Sequence, residues 1–271
     1  MKKYFKIQIE TESNEQAEIL MAQLSAILFY AFDEEDNLLN AYVKEKDFDE
    51  KKLKNILPPD MIFSKKVIEE KNWNLEWERG IKPVTIKDFV SIRPSFAKPI
   101  KTSKYDLIIT PKMSFGTGHH DTTYLMVAMM ESIDFNNKSV VDFGTGTGVL
   151  AILAEKLGAS KIMAIDFDEW SIRNATENIE ANNCQHIILQ NQNNLEGIYP
   201  SDIILANINL NVLKNELSSI AAATKTGSLF LASGFLINDE IEIKNIFGKR
   251  DFVKLKSGHR GGWLTILFRK N

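Results

Sequence analysis

The chain has 271 residues, a net charge of −3, and 44% hydrophobic against 25% charged residues. This balance excludes wholesale disorder, leaves ample apolar material for a core, and argues against a general nucleic-acid binder. Its single cysteine, Cys184, excludes an intrachain disulfide, and with four histidines no metal site is expected. The length suits one large domain or two modest ones. The most apolar long stretch, Ala17–Phe32, is too short for a membrane span and carries Glu18, Gln23 and Ser25. Met1, Lys2 and Lys3 open like a secretory signal, but no continuous apolar region follows. A strand and a cytoplasmic location are expected instead.

Taken in chain order, Phe5, Ile7 and Ile9 alternate with Lys6, Gln8 and Glu10, which is strand period over Tyr4–Glu10. Ser13 followed by Gln16 has the form of a capping box. It opens a helix whose apolar stripe is Ala17, Leu20, Met21, Leu24, Ile27 and Leu28. Leu28–Phe32 reads as a strand, Asp33–Asn37 as a turn and Leu38–Val43 as a strand. Asp49–Leu57 reads as a helix stopped by Pro58 and Pro59, and Met61–Ile68 as a strand. The order β-α-β-β-α-β predicts a ferredoxin-like α+β domain over residues 1–70. A connector with pre-core strands is expected over residues 71–112. In it, Trp73 and Trp77 share one helical face of Asn72–Arg79, and Phe89–Ile92 and Asp106–Ile109 are strands.

From residue 113 to 271 the pattern changes to alternation. Asp121–Ile133 is a helix, Ser139–Asp142 a strand, Val149–Leu157 a helix, Lys161–Asp166 a strand and Glu169–Asn182 a helix. Ile187–Leu189 and Ile203–Ala206 are strands, Val212–Ala223 a helix, Ser228–Ser233 a strand and Asp239–Phe247 a helix. Such alternation predicts a mostly parallel sheet with helices on both faces. Phe252–Lys256 and Trp263–Phe268 are joined too closely for a parallel crossover, so the last strand is expected to run antiparallel.

Val140–Gly148 is an apolar strand running into a turn with Gly144, Gly146 and Gly148, followed by a helix. Glycines let a backbone approach a ligand, and the helix start offers free N–H groups. Asp166 ends the next strand, where a carboxylate can hold both ribose hydroxyls of an adenine nucleoside. A dinucleotide loop would place its last glycine where Val149 stands. Asp142, just before the loop, would sit poorly beside a pyrophosphate. It suits a ligand with a positive centre and a free amine, which favours S-adenosylmethionine over a nicotinamide cofactor.

Lys112–Thr123, which contains Phe115-Gly116-Thr117-Gly118-His119, resembles the loop before the core of the ribosomal protein L-eleven methyltransferase (PrmA) family. Val141–Gly148, Leu157–Ser160, Ala164–Asp168, Ile204–Ile208 and the tryptophan-rich Trp73–Pro83 are similar to it as well. The resemblance covers nearly the whole chain. It implies a class I S-adenosylmethionine-dependent methyltransferase, Rossmann-like, behind a ferredoxin-like first domain that grips the substrate. It implies cofactor contacts from Asp142, Gly144, Gly146 and Asp166, from Phe115, Gly116 and Thr117, and from Thr123 and Asn207. Asn207 would also orient the acceptor amine. The implied substrate is the stalk-base protein L-eleven of the large ribosomal subunit, methylated on lysine side chains and on its N-terminal α-amine. A monomer with no nucleic-acid requirement is expected. The chain departs from the family at Ile208-Asn209-Leu210-Asn211 and at Thr145, where many relatives have cysteine.

Residues 1–70 carry 10 basic and 15 acidic residues, a lobe compatible with a basic, lysine-rich partner. His119 and His120 are candidates for a proton acceptor by chemistry, or else shape a lid over the cofactor. The alternative function is a methyltransferase acting on another protein or on a small molecule.

Overall fold

The computed structural model describes residues 3–35, 38–59, 61–69, 82–110, 112 and 114–271. The chain divides into two compact units, Met1–Trp73 and Asn74–Asn271. The helix expected over Asn72–Arg79, with Trp73 and Trp77, lies outside the described residues.

The first unit contains β1 (Lys3–Glu10), α1 (Asn14–Ser25), β2 (Ala31–Glu35), β3 (Leu38–Lys44), α2 (Glu50–Ile56) and β4 (Phe63–Glu69). Its sheet has the order β2-β3-β1-β4 with every neighbour antiparallel, which is the ferredoxin-like arrangement. Alternation in β1 sends Ile7 and Ile9 into a core with Leu39, Leu20, Leu24 and Leu53.

Two local readings need correction. Ser13 caps α1 by accepting the Gln16 N–H at 3.3 Å, but Gln16 Oε1 accepts from Glu12 N–H (2.7 Å), one residue before the cap. Leu28–Phe32 is not a strand. Leu28 takes a left-handed φ of +73°, with Phe29 N–H bonded to Leu24 C=O and Leu28 N–H to Ser25 C=O. That helix-ending motif usually takes glycine, so a leucine there gives no signal. The strand begins at Ala31 and runs to Glu35, through residues that read as a turn.

The second unit opens with a three-stranded sheet in the order β5 (Val84–Ile86), β6 (Val90–Arg93), β7 (Tyr105–Ile108). β5 is absent from the sequence reading because three residues carry no periodicity. The core follows as α3 (Asp121–Met130), β8 (Ser139–Phe143), α4 (Val149–Lys156), β9 (Lys161–Asp166), α5 (Glu169–Ala181) and β10 (Ile187–Asn191). It continues through β11 (Ser201–Asn207), α6 (Leu210–Asn215), α7 (Leu217–Ala222), β12 (Thr224–Leu236), α8 (Glu240–Gly248), β13 (Phe252–Arg260) and β14 (Trp263–Lys270). The single helix expected over Val212–Ala223 is two short ones, because Glu216 (φ −92°, ψ 8°) leaves helical geometry between them.

The seven-stranded sheet has the order β10-β9-β8-β11-β12-β14-β13. Pairs from β10 to β12 are parallel, and β14 is antiparallel to both of its neighbours. Successive residues of β11 feed opposite cores. Ile203 and Leu205 pack with Met126 of α3 and Ile152 of α4, while Ile204 and Ala206 pack with Leu213 of α6 and Phe247 of α8. Burial on both faces explains why these strands read as unbroken apolar runs. The chain steps outward from β8 to β10, then returns to β11 on the other side. The switch between β8 and β11 is where such sheets leave a crevice at their carboxyl ends. No helix among the described residues is long and apolar enough to cross a membrane.

Candidate active site

The carboxyl ends of β8, β9 and β11 open into a cavity of about 680 Å³ within the second unit. Its floor is the glycine turn between β8 and α4. Gly146 has φ +55°, and a Cβ there would collide with the Phe115 carbonyl oxygen and stand 3.2 Å from its carbonyl carbon. Glycine is therefore required for the segment carrying Phe115 to lie against the turn. Thr147 fastens the same contact, its N–H donating to Phe115 C=O (2.9 Å) and its hydroxyl to Gly116 C=O (2.8 Å).

Asp166, at the end of β9, is only 8% exposed. Its Oδ2 accepts from Gly146 N–H (2.9 Å) and its Oδ1 from Asp168 N–H (3.0 Å). The carboxylate and the glycine turn, 20 residues apart, are thus in direct contact. Asp142 lies deeper and has no exposed surface. Its Oδ2 accepts from the Thr145 hydroxyl (2.6 Å) and Ala151 N–H (3.2 Å), while its Oδ1 is buried with no hydrogen-bond partner among the described residues. Burial pushes this carboxyl up to about 7 against the pull of those two hydrogen bonds, with the charge of Asp166 adding to the rise.

Asn207 ends β11. Its Nδ2 donates to Thr123 Oγ1 at 3.4 Å, and its Oδ1 is buried with no partner among the described residues. Thr123 itself has no exposed surface and stands behind Asn207 rather than on the cavity wall; Thr122 lines the wall instead. Of the residues singled out from the sequence, Phe115, Gly144, Gly146, Asp166 and Asn207 line the cavity. His120 lines it too, whereas Asp142, Gly116, Thr117 and Thr123 do not.

The two histidines brace the loop. His120 caps α3, its Nδ1 accepting from Thr122 N–H (3.3 Å), and its ring lies 5.2 Å from Phe115 and 4.9 Å from Trp263. His119 is exposed, with Nδ1 3.0 Å from Thr117 Oγ1. Trp263 is one of the wall residues that the sequence reading misses. Its one signal is its place directly after Gly261-Gly262, at the start of a strand. Among the described residues no group of three or more His, Cys, Asp or Glu is arranged to hold a metal.

Comparison with known proteins agrees with this architecture. The family model described as Ribosomal protein L11 methyltransferase (PrmA) matches residues 2–271. A Phocaeicola vulgatus protein named ribosomal protein L11 methyltransferase is 38% identical over 263 residues, covering 93% of this chain and 92% of its own. A Bacteroides fragilis protein of the same name is 34% identical over 277 residues, covering 98% and 99%. The crystal structure of a ribosomal protein L11 methylase from Lactobacillus delbrueckii subsp. bulgaricus superposes with a TM-score of 0.65 at 25% identity, covering 70% of this chain and all of that one. The fold is therefore the class I, Rossmann-like methyltransferase fold, and the chain belongs to the ribosomal protein L11 methyltransferase (PrmA) family.

Proposed function

We propose that this enzyme transfers methyl groups from S-adenosylmethionine to amines of ribosomal protein L11, on lysine side chains and on the N-terminal α-amine. The observation that carries the reading is family membership along the whole chain, the first unit included. The cavity suits the donor. Its size falls among those of small-molecule sites, roughly 300–1,000 Å³. Asp166 offers a carboxylate for a ribose diol. The buried Oδ1 atoms of Asp142 and Asn207 both lack the donor that a buried acceptor normally has.

When bound, S-adenosylmethionine supplies a methyl group on a sulfonium, open to in-line displacement by an amine lone pair. The protein's task is then position and dryness. In this reading Asn207 Oδ1, which has no partner among the described residues, accepts an N–H of the incoming amine, while Thr123 holds the amide through its Nδ2. A lysine amine, with a pKa near ~10.4, is protonated at neutral pH. Phe115, Phe143 and Trp263 on the wall favour its neutral form by desolvation. His120 is engaged through Nδ1 and serves to shape the lid.

The first unit would hold the protein substrate, since the 15 acidic against 10 basic residues over positions 1–70 suit a basic partner. Action as a monomer, in the cytoplasm and without nucleic acid, completes the reading; the net charge of −3 supports its last part. Intact-mass measurement of L11 after incubation with enzyme and S-adenosylmethionine tests it. Mass rising in whole methyl steps, against a control without donor, is the expected result. An unchanged mass from an enzyme that still binds the donor would discard L11 as the substrate.

A further inference from the structure

Asn174, Asn178 and Asn182 stand four residues apart at α5, with exposures of 2%, 2% and 6%. They form one stripe, turned toward Ile108 at the end of β7 and toward Thr110 and Lys112 beyond it. Asn182 accepts from Ile108 N–H (3.0 Å) and donates to Ile108 C=O (2.7 Å). Asn178 accepts from Thr110 N–H (3.0 Å). Asn174 donates to Thr110 C=O (2.8 Å) and accepts from Lys112 N–H (3.3 Å). Between Ile108 and Thr110 the spacing works because four helical residues rise about 6 Å and two extended residues about 6.6 Å. Side-chain amides thus replace the strand that β7, an edge strand, lacks on that side.

Asn178 differs from the other two. Its Nδ2 donates to Thr147 C=O at 2.9 Å, inside the glycine turn. Thr147 in turn holds Phe115 and Gly116 through its N–H and its hydroxyl. One buried amide therefore ties Thr110 to the residue that seats Phe115 against the turn. Asn178 itself does not line the cavity.

We propose that Asn178 is a positioning residue for the methyl donor: through Thr147 it sets how Phe115 lies over the glycine turn, and so sets donor affinity. Asn182 anchors the strand alone. The proposal rests on reading the cavity as the S-adenosylmethionine site. Truncating either asparagine leaves buried backbone groups unpaired, so both changes lower stability. Donor affinity separates them.

The test is titration of the full-length wild type, Asn178→Ala and Asn182→Ala with S-adenosylmethionine, together with steady-state methylation of L11. In Asn178→Ala, Kd and KM for the donor are expected to rise by at least about tenfold, with kcat and KM for L11 within about threefold of wild type. Asn182→Ala should bind the donor within about threefold of wild type although it melts lower. Should Asn178→Ala not fold, Asn178→Asp keeps the acceptor for Thr110 N–H and sets a carboxyl oxygen against the Thr147 carbonyl in place of the donor. Equal donor affinities in the Asn178 and Asn182 variants, whether weakened or not, would overturn the proposal while leaving the site reading intact. A wild type that does not bind the donor would overturn the site reading, and the proposal with it.

Discussion

Gly234 lies against the backbone of Ile208. A Cβ on Gly234 would collide with the Ile208 carbonyl oxygen and stand 2.6 Å from its carbonyl carbon, at a φ of +101° that side chains rarely adopt. The irregularity of β12 between Ser233 and Phe235 is therefore the seat of the residue that follows Asn207. Gly234→Ala is expected to displace the Asn207–Ile208 turn, lowering kcat on L11 by roughly 100-fold and stability by about 2–3 kcal/mol. Initial rates and denaturant melts check both. Gly227→Ala is the control. Its φ is +83° with open space around a Cβ, so it should cost about 1 kcal/mol and leave kcat unchanged.

Thr123→Val keeps the shape of the fully buried side chain and removes the hydrogen bond that holds the Asn207 amide. The expected loss in kcat/KM for L11 is about three- to tenfold, the worth of one neutral hydrogen bond. Donor affinity should hold. A variant that weakens donor binding as much as turnover would move Thr123 to a direct role at the donor.

Asp166→Ala removes the acceptor for Gly146 N–H and Asp168 N–H together. The glycine turn loses its link to β9, and a ribose diol would lose its carboxylate. Donor Kd is expected to rise by roughly 30-fold or more, at about 2 kcal/mol for charged hydrogen bonds. Calorimetric titration measures it directly.

Asp142 gives a pH signature. Burial raises its folded-state carboxyl from an ordinary 3.8 to about 7. The folded protein then binds the proton more tightly than the unfolded chain does. Its contribution to stability is full below about pH 4 and is lost as pH rises toward 7, with a slope of up to about 1.4 kcal/mol per pH unit. Asp142→Asn removes that slope. Denaturant melts of both proteins from pH 4 to 8 should show the wild type losing ground to the variant through this window and running parallel above it. Parallel curves throughout would mean that Asp142 is charged at all these pH values.

The parallel core was legible because both faces of its strands are buried, leaving unbroken runs such as Ile203–Ala206. The meeting of Asp166 with the glycine turn was legible too, since strand ends and turns of this topology converge. What stayed hidden was adjacency that only the fold creates. Trp263 stands beside His120 because β14 inserts next to β12, and no local pattern announces that. Asn174, Asn178 and Asn182 show helical spacing in plain sequence. Their partners could be named only once β7 was known to be an edge. Leu28 hides a helix stop because the conformation it adopts is one that glycine normally signals.

β14 follows β12 and β13 in sequence yet lies between them in the sheet. Until β14 has been made, β12 has an open edge and β13 has no partner. The ring stack of Phe230 and Phe247 also lacks Phe268. Open edges of this kind invite wrong pairing in a nascent chain. Trp263 belongs to the same late strand, so the cavity wall and the sheet are completed in one event.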